Sequence, residues 1–154
     1  MPLIGAMFYI FATLTFGYVY QQAALDRASQ AGAATQAKVM AQRMIYYIGK
    51  LEGVAAASPA SINKKIHPNS LNVPGWFKYN DGSETLKLAI DSGVAFVYCD
   101  SDCPPRLLDE LVAFTHGSPL AGQVVGNKIS SPILKTTNRP TPALIPNGAV
   151  VYSQ

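Results

Sequence analysis

Residues 1–20 read MPLIGAMFYIFATLTFGYVY, and the first charged side chain of the chain is Asp26. About twenty apolar residues in an α-helix reach roughly 30 Å, the thickness of a bilayer's hydrocarbon core. Once such a segment sits in a membrane, the remaining residues form a domain on one side of it. A cleaved secretory signal needs a basic leader and small residues just beyond its apolar core. Here Val19, Tyr20, Gln21 and Gln22 follow the core, and Ser29 to Ala31 come only after Asp26 and Arg27. An uncleaved anchor over residues 1–22 is therefore expected. A pilin-type leader is a second option, with Gly5-Ala6 as the processing site. Ile10 then occupies the fifth mature position, where pilins carry Glu, and the leader lacks Lys and Arg.

Outward from this stretch, Gln21 to Leu51 is rich in Ala, Gln, Met, Lys and Arg, and no proline occurs between Gln21 and Pro59. These are good helix formers, so the helix is expected to continue. Ala37, Met40, Met44, Tyr47, Ile48 and Leu51 recur at three-to-four spacing and make one apolar face. That face is expected to pack on the domain's own sheet, with contact to a partner helix as the alternative. Ala24, Ala28 and Gly32 form a small-xxx-small series that lets another helix approach closely. Gly49 and Gly53 are the expected stops, and a helix from Leu3 to Leu51 extends about 70 Å.

Past the helix, Ala55 to Asn72 carries Pro59, Pro68 and several Ser and Asn residues and reads as a connecting loop. Trp76 to Tyr79 reads as a short strand, with Asn80-Asp81-Gly82 as a turn. Thr85 to Ile90 alternates, placing Leu86, Leu88 and Ile90 on one face and Lys87 on the other. Asp91-Ser92-Gly93 turns the chain into a second strand, Val94 to Cys99. Pro104-Pro105 is expected in the first turn of a helix, with Leu107, Leu108, Leu111, Val112 and Phe114 inward and Gly117 as its left-handed end. Gly122 to Val125 and Lys128 to Ser130 form a hairpin around Gly126-Asn127. Ser131 to Pro146, with four prolines, is expected as an extended surface loop. Asn147-Gly148 is a last turn before a terminal strand, Ala149 to Tyr152.

The fold class is therefore α+β: a long N-terminal helix, transmembrane in its first half, then a small antiparallel sheet with one further helix, pilin-like in general architecture. The expected units are an anchor over 1–22, a helical extension over 23–52, a linker over 53–72 and a globular domain over 73–154.

The chain has 154 residues and a net charge of +3 with scattered Lys and Arg, which gives no basic stripe for nucleic acid. Cys99 and Cys103 have three residues between them. Twelve residues separate Cys103 from His116, but a zinc finger needs a second histidine near residues 120–122, where none occurs. A local disulfide is the better reading if the domain lies in an oxidising compartment. No nucleophile elbow, phosphate loop or zinc-protease motif is present. His116 sits near a helix end, where the dipole favours a cation. His67 lies in a polar loop, and Asp109 and Glu110 point to different helix faces. No enzyme, no cofactor and no small-molecule substrate is expected. Orientation stays open: Arg27, Lys38 and Arg43 after the anchor favour a cytoplasmic domain, and the cysteine pair favours the opposite.

The chain resembles the PilM family, small inner-membrane proteins encoded with type IVB thin pili of conjugative plasmids and related systems. The resemblance rests on the N-terminal segment followed by the Ala/Gln-rich helix and on the order of C-terminal motifs. These are Leu107-Leu108-x-x-Leu111, then Gly122-Gln-Val-Val-Gly126-Asn-Lys-Ile-Ser130-Ser-Pro132, then Pro140-x-Pro142-x-x-Ile145-Pro146-x-Gly148-x-Val150-Val151. It implies a non-catalytic component of the pilus basal machinery, single-pass in the inner membrane. Its C-terminal domain would be periplasmic, with the lipid bilayer and other pilus assembly proteins as partners and oligomerisation open. A minor pilin or pseudopilin built into a fibre is the alternative, and a regulator facing the cytoplasm is a third.

Overall fold

The computed structural model describes residues 2–75, 85–134 and 139–154, with residues 2–19 as backbone only. The strand expected at Trp76 to Tyr79 and the turn at Asn80 to Gly82 lie outside the described residues, as do the side chains of the expected anchor. Among the described residues, no helix is long and apolar enough to cross a membrane.

Helix α1 runs without a break from Pro2 to Ala56. Its 55 residues extend roughly 80 Å. Gly49 and Gly53, the expected stops, do not end it. Both are exposed, and each costs the helix only about 1 kcal/mol relative to Ala. Tyr47, Ile48, Leu51 and Ala55 are meanwhile buried on the opposite side, and that packing carries the helix through. It stops where Ala57 and Ser58 donate N–H bonds to Gly53 and Ala55, just before Pro59, whose ring disfavours helix in the preceding residue.

Among the described residues the sheet has six strands, β1 (Lys64–Ile66), β2 (Leu86–Asp91), β3 (Val94–Cys99), β4 (Ala121–Val125), β5 (Lys128–Ser130) and β6 (Val150–Ser153), in the order β1-β2-β3-β6-β4-β5, and every neighbouring pair is antiparallel. Strands β2 (Leu86–Asp91) and β3 (Val94–Cys99) form a hairpin in the register Leu86↔Cys99 through Asp91↔Val94. Both residues of its turn take positive φ, Ser92 at 51° and Gly93 at 78°. That pair of angles matches the strands' twist. Strands β4 (Ala121–Val125) and β5 (Lys128–Ser130) repeat the device with Gly126 and Asn127. The last strand, β6 (Val150–Ser153), lies in the middle of the sheet, between β3 and β4.

One face of the sheet packs on helices. Leu86, Leu88, Ile90, Ala95, Val97 and Cys99 meet Ala41, Met44, Tyr47, Ile48, Leu51 and Ala55 of α1, with Leu107 and Leu111 of α2 (Leu107–Phe114). The large side chains here are essentially inaccessible to solvent. Each contributes about 1.5–3 kcal/mol by leaving water, as an upper estimate.

Helix α2 begins later than expected. Pro104 and Pro105 do not occupy its first turn. They belong to a preceding turn closed by Leu107 N–H to Pro104 O at 3.2 Å, after which Arg106 takes a left-handed conformation. At its end, His116 as well as Gly117 has positive φ. Gly117 N–H reaches back to Val112 O at 2.8 Å, the bond of a Schellman-type cap.

Two segments expected as loops do more than connect. Within 53–72, Lys64–Ile66 pairs with β2 as the edge strand β1, and Pro68–Ser70 forms a 3₁₀ turn. Leu71 and Val73 then join the core. Exposed Lys64 and Lys65 are the charges that keep a sheet edge from pairing further. The second segment, within Ser131 to Pro146, is not a free surface loop. Its part from residue 139 on crosses the sheet's other face. Pro140 bridges to Lys128, Ala143 N–H bonds Asn63 Oδ1 at 3.1 Å, and Ile145 and Ala149 pack with Ala89, Phe96, Tyr98, Val124, Ile129 and Val151. An apolar second face must be covered by something, and a proline-rich strap covers it with few backbone donors left over.

Gly122 marks the closest approach in the sheet. A Cβ there would collide with the Ser130 carbonyl oxygen and lie 2.8 Å from Ile129 Cγ2. Gly122→Ala is expected to lower stability by about 1–3 kcal/mol. Gly53→Ala, on an exposed helix surface with nothing within 4 Å, is expected to raise it by about 0.5–1 kcal/mol. Thermal unfolding followed by circular dichroism measures both, and the two shifts must have opposite sign.

Candidate functional site

The residues singled out from sequence separate along α1 into two groups. Met44, Tyr47, Ile48 and Leu51 are buried and Met40 is half-buried, all toward the sheet. This face is therefore occupied by the chain's own core. Ala37, Ala41 and Ala55, equally buried, complete it. Small residues there let the helix lie close to the strands. Ala24, Ala28 and Gly32 are exposed, on the part of α1 that precedes the core contacts. Tyr20 and Leu25, at 76% and 69% exposure, share this segment.

Where α1 enters the domain, a groove of about 390 Å³ opens beside it. Thr35, Gln36, Val39, Met40 and Arg43 form the helix side, and Thr85, Asp102 and Pro104 face them. The lining is mixed, with no convergent set of acids, bases or nucleophiles. Sequence spacing could not have found it, because its walls come from distant parts of the chain that only the sheet brings together.

The loop carrying Asp102 is closed by a bond between Cys99 and Cys103, whose Cα atoms are 5.9 Å apart. Cys99 is fully buried at the end of β3, and Cys103 is half-buried. Asp100, inside the loop, pairs with Lys87 Nζ at 2.6 Å and 2.8 Å. Burial by itself would raise the Asp100 pKa, but the Lys87 ammonium, by hydrogen bonding and charge, together with hydrogen bonds from Ser101 and the backbone, brings the carboxyl below its ordinary value. The nearby Tyr98 phenol is pushed up, by burial first and by the Asp100 charge second. It stays neutral at ordinary pH.

The two histidines are apart. His67 Nδ1 accepts the Asn69 N–H at 3.2 Å and caps the 3₁₀ turn, whereas His116 is exposed at the end of α2. Asp109 and Glu110 lie in the first turn of α2, where negative charge suits the helix dipole. Among the described residues, no group of three or more His, Cys, Asp or Glu is placed to hold a metal ion.

The Lys87–Asp100 pair makes a pH prediction. A carboxyl whose folded pKa is depressed contributes stability above its unfolded value, near 3.9, and loses it as pH falls through the folded value. The side chains are 28% and 17% exposed, so screening limits the pair to about 0.5–1 kcal/mol. Lys87→Met should remove that amount at pH 7 and make no difference at a pH below the folded pKa. Urea titrations of both proteins across pH 2–7 measure it.

Comparison with known proteins follows the same architecture. A family profile described as PilM matches residues 10–153. A crystal structure named as PilM from Escherichia coli B7A superposes with a TM-score of 0.53 at 16% identity, covering 82% of this chain and 94% of that one. It shares the fold. A second, named as a pilM protein from Pseudomonas aeruginosa 2192, has a TM-score of 0.45 at 23% identity, covering 77% and 95%. No curated protein matches the chain. With nearly its whole length matched by the family profile, the chain belongs to the PilM family.

Proposed function

We propose that this protein is a single-pass inner-membrane component of a type IVB pilus assembly, without catalysis. Residues 1–22 would anchor it, and its periplasmic domain would dock other pilus proteins. The observation that carries this reading is the continuity of α1. One helix from Pro2 to Ala56 has an uncharged N-terminal stretch and a C-terminal third built into the core. Between them, residues 20–36 are largely exposed around the helix. Most helical stability in proteins comes from packing an apolar face, and an exposed stretch gains little of it. The core holds one end, and a bilayer would hold the other.

Membership of the PilM family ties the chain to pilus systems. The bonded cysteine pair suits an oxidising compartment and therefore the periplasmic side. The exposed part of α1 and the groove at its entry to the domain offer the contact surfaces. The long helix backed by an antiparallel sheet also fits a minor pilin. Against that stands Ile10 at the place of the pilin Glu.

Alkaline extraction of native membranes tests the anchor: the full chain is expected in the membrane pellet. A periplasm-active phosphatase fused after Gln154 is expected to be active, and an inactive but stable fusion refutes the orientation. N-terminal sequencing is expected to find Met1 or Pro2. A chain beginning at methylated Ala6 would identify a pilin instead.

A further inference from the structure

We propose that the Cys99–Cys103 bond is an oxidation-dependent lock on one wall of the groove beside α1. When it is closed, loop 100–104 stands against α1. When a dithiol reduces it, that wall is released while the sheet stays intact.

The placement of the bond is the basis. Cys99 ends β3, paired with Leu86 on one side and Val150 on the other, so its position is fixed by the middle of the sheet. Cys103 leads into Pro104, and Asp102 and Pro104 form the groove wall that faces Thr35, Gln36 and Val39. Among the described residues, the backbone of 101–105 makes no hydrogen bond to α1 or to the sheet; its one regular bond, Leu107 N–H to Pro104 O, is internal to the turn. Pro104 and Pro105 have no N–H to donate. Asp102 and Arg106 take positive φ, 53° and 68°, a region uncommon for non-glycine residues though more open to Asp. The Lys87–Asp100 pair secures the loop only at its first residue. From Ser101 to Pro105 the covalent link is the main tie to the sheet.

Reduction is chemically simple. A thiolate of the dithiol attacks Cys103 Sγ, the sulfur of the more exposed cysteine. The Sγ–Sγ bond breaks, and Cys99 leaves as a thiolate that takes up a proton. The reductant's second thiolate then displaces Cys103, which is protonated in turn, and the reductant departs as a disulfide. Two electrons and two protons are transferred. Leu111 stays packed in the core, so the loss of order is confined to the loop and the first turn of α2.

Hydrogen–deuterium exchange of the full-length chain, with and without dithiothreitol, tests this. Exchange at Leu107 and Glu110, whose N–H groups bond the Pro104 and Arg106 oxygens, is expected to rise about tenfold or more on reduction, with β2, β3 and β6 unchanged. The Cys99→Ala/Cys103→Ser protein should show the reduced pattern without any reductant. Unchanged exchange at Leu107 and Glu110 overturns the proposal. Loss of protection in β2 and β3 together with the loop also overturns it, because the bond would then be a global staple. Thiols that alkylate in native protein without prior reduction overturn it as well. None of these outcomes depends on the pilus reading, which stands or falls on the membrane and phosphatase assays.

Discussion

Burial of one face of α1, from Ala37 to Ala55, is the constraint from which the domain is built. That face supplies a large share of the main core, and α2 reaches the sheet only beside it. Small side chains alternate with large ones along it: Ala37, Ala41 and Ala55 bring the helix close, and Met44, Tyr47, Ile48 and Leu51 fill the space this leaves. Interiors pack at crystal-like density, so this interlock fixes the helix's rotation about its own axis. It thereby fixes which side of the preceding segment, with Ala24, Ala28 and Gly32, is turned away from the domain.

The sheet's second face has a different solution. No helix covers it among the described residues. The chain instead runs through β5, returns as a proline-rich strap pinned to Lys128 and Asn63, inserts Ile145, and enters the centre of the sheet as β6. The C-terminal residues are thus among the most firmly held in the domain, and Ser153 is fully buried. With both faces covered, the available surface is concentrated at the sheet edges, on the projecting part of α1 and in the groove where that helix meets the domain. The proposed assembly role uses surfaces of this kind.

Local sequence was a good guide where local forces decide. Helix formers without proline predicted α1 beyond the apolar segment, and the two hairpins followed from residues that tolerate positive φ at their turns, Ser92-Gly93 and Gly126-Asn127. The alternation of Leu86, Leu88 and Ile90 located the buried face of β2. The glycines at 49 and 53 misled for an informative reason: a modest local penalty loses to several buried side chains on the other side of the same helix turns.

By itself, then, the sequence determined the continuation of α1 past the apolar stretch and its inward face, the α+β class, the hairpins and the membership that its motif order implied. These depend on periodicity and turn chemistry within a few residues. Tertiary structure alone decided that Lys64–Ile66 becomes an edge strand, that the proline-rich segment seals the second face, and that β6 lies between β3 and β4. It also placed Thr35, Gln36 and Val39 opposite Asp102 and Pro104. Each of these needs a partner far away in the chain. Three residues with two lysines, or a run of prolines, carry no signal of their own until that partner presents a strand edge or an uncovered apolar face. The apolar stretch at the start of α1 is the complementary case: its composition was legible at once, and the fold added the rigid helical connection that joins it to the core.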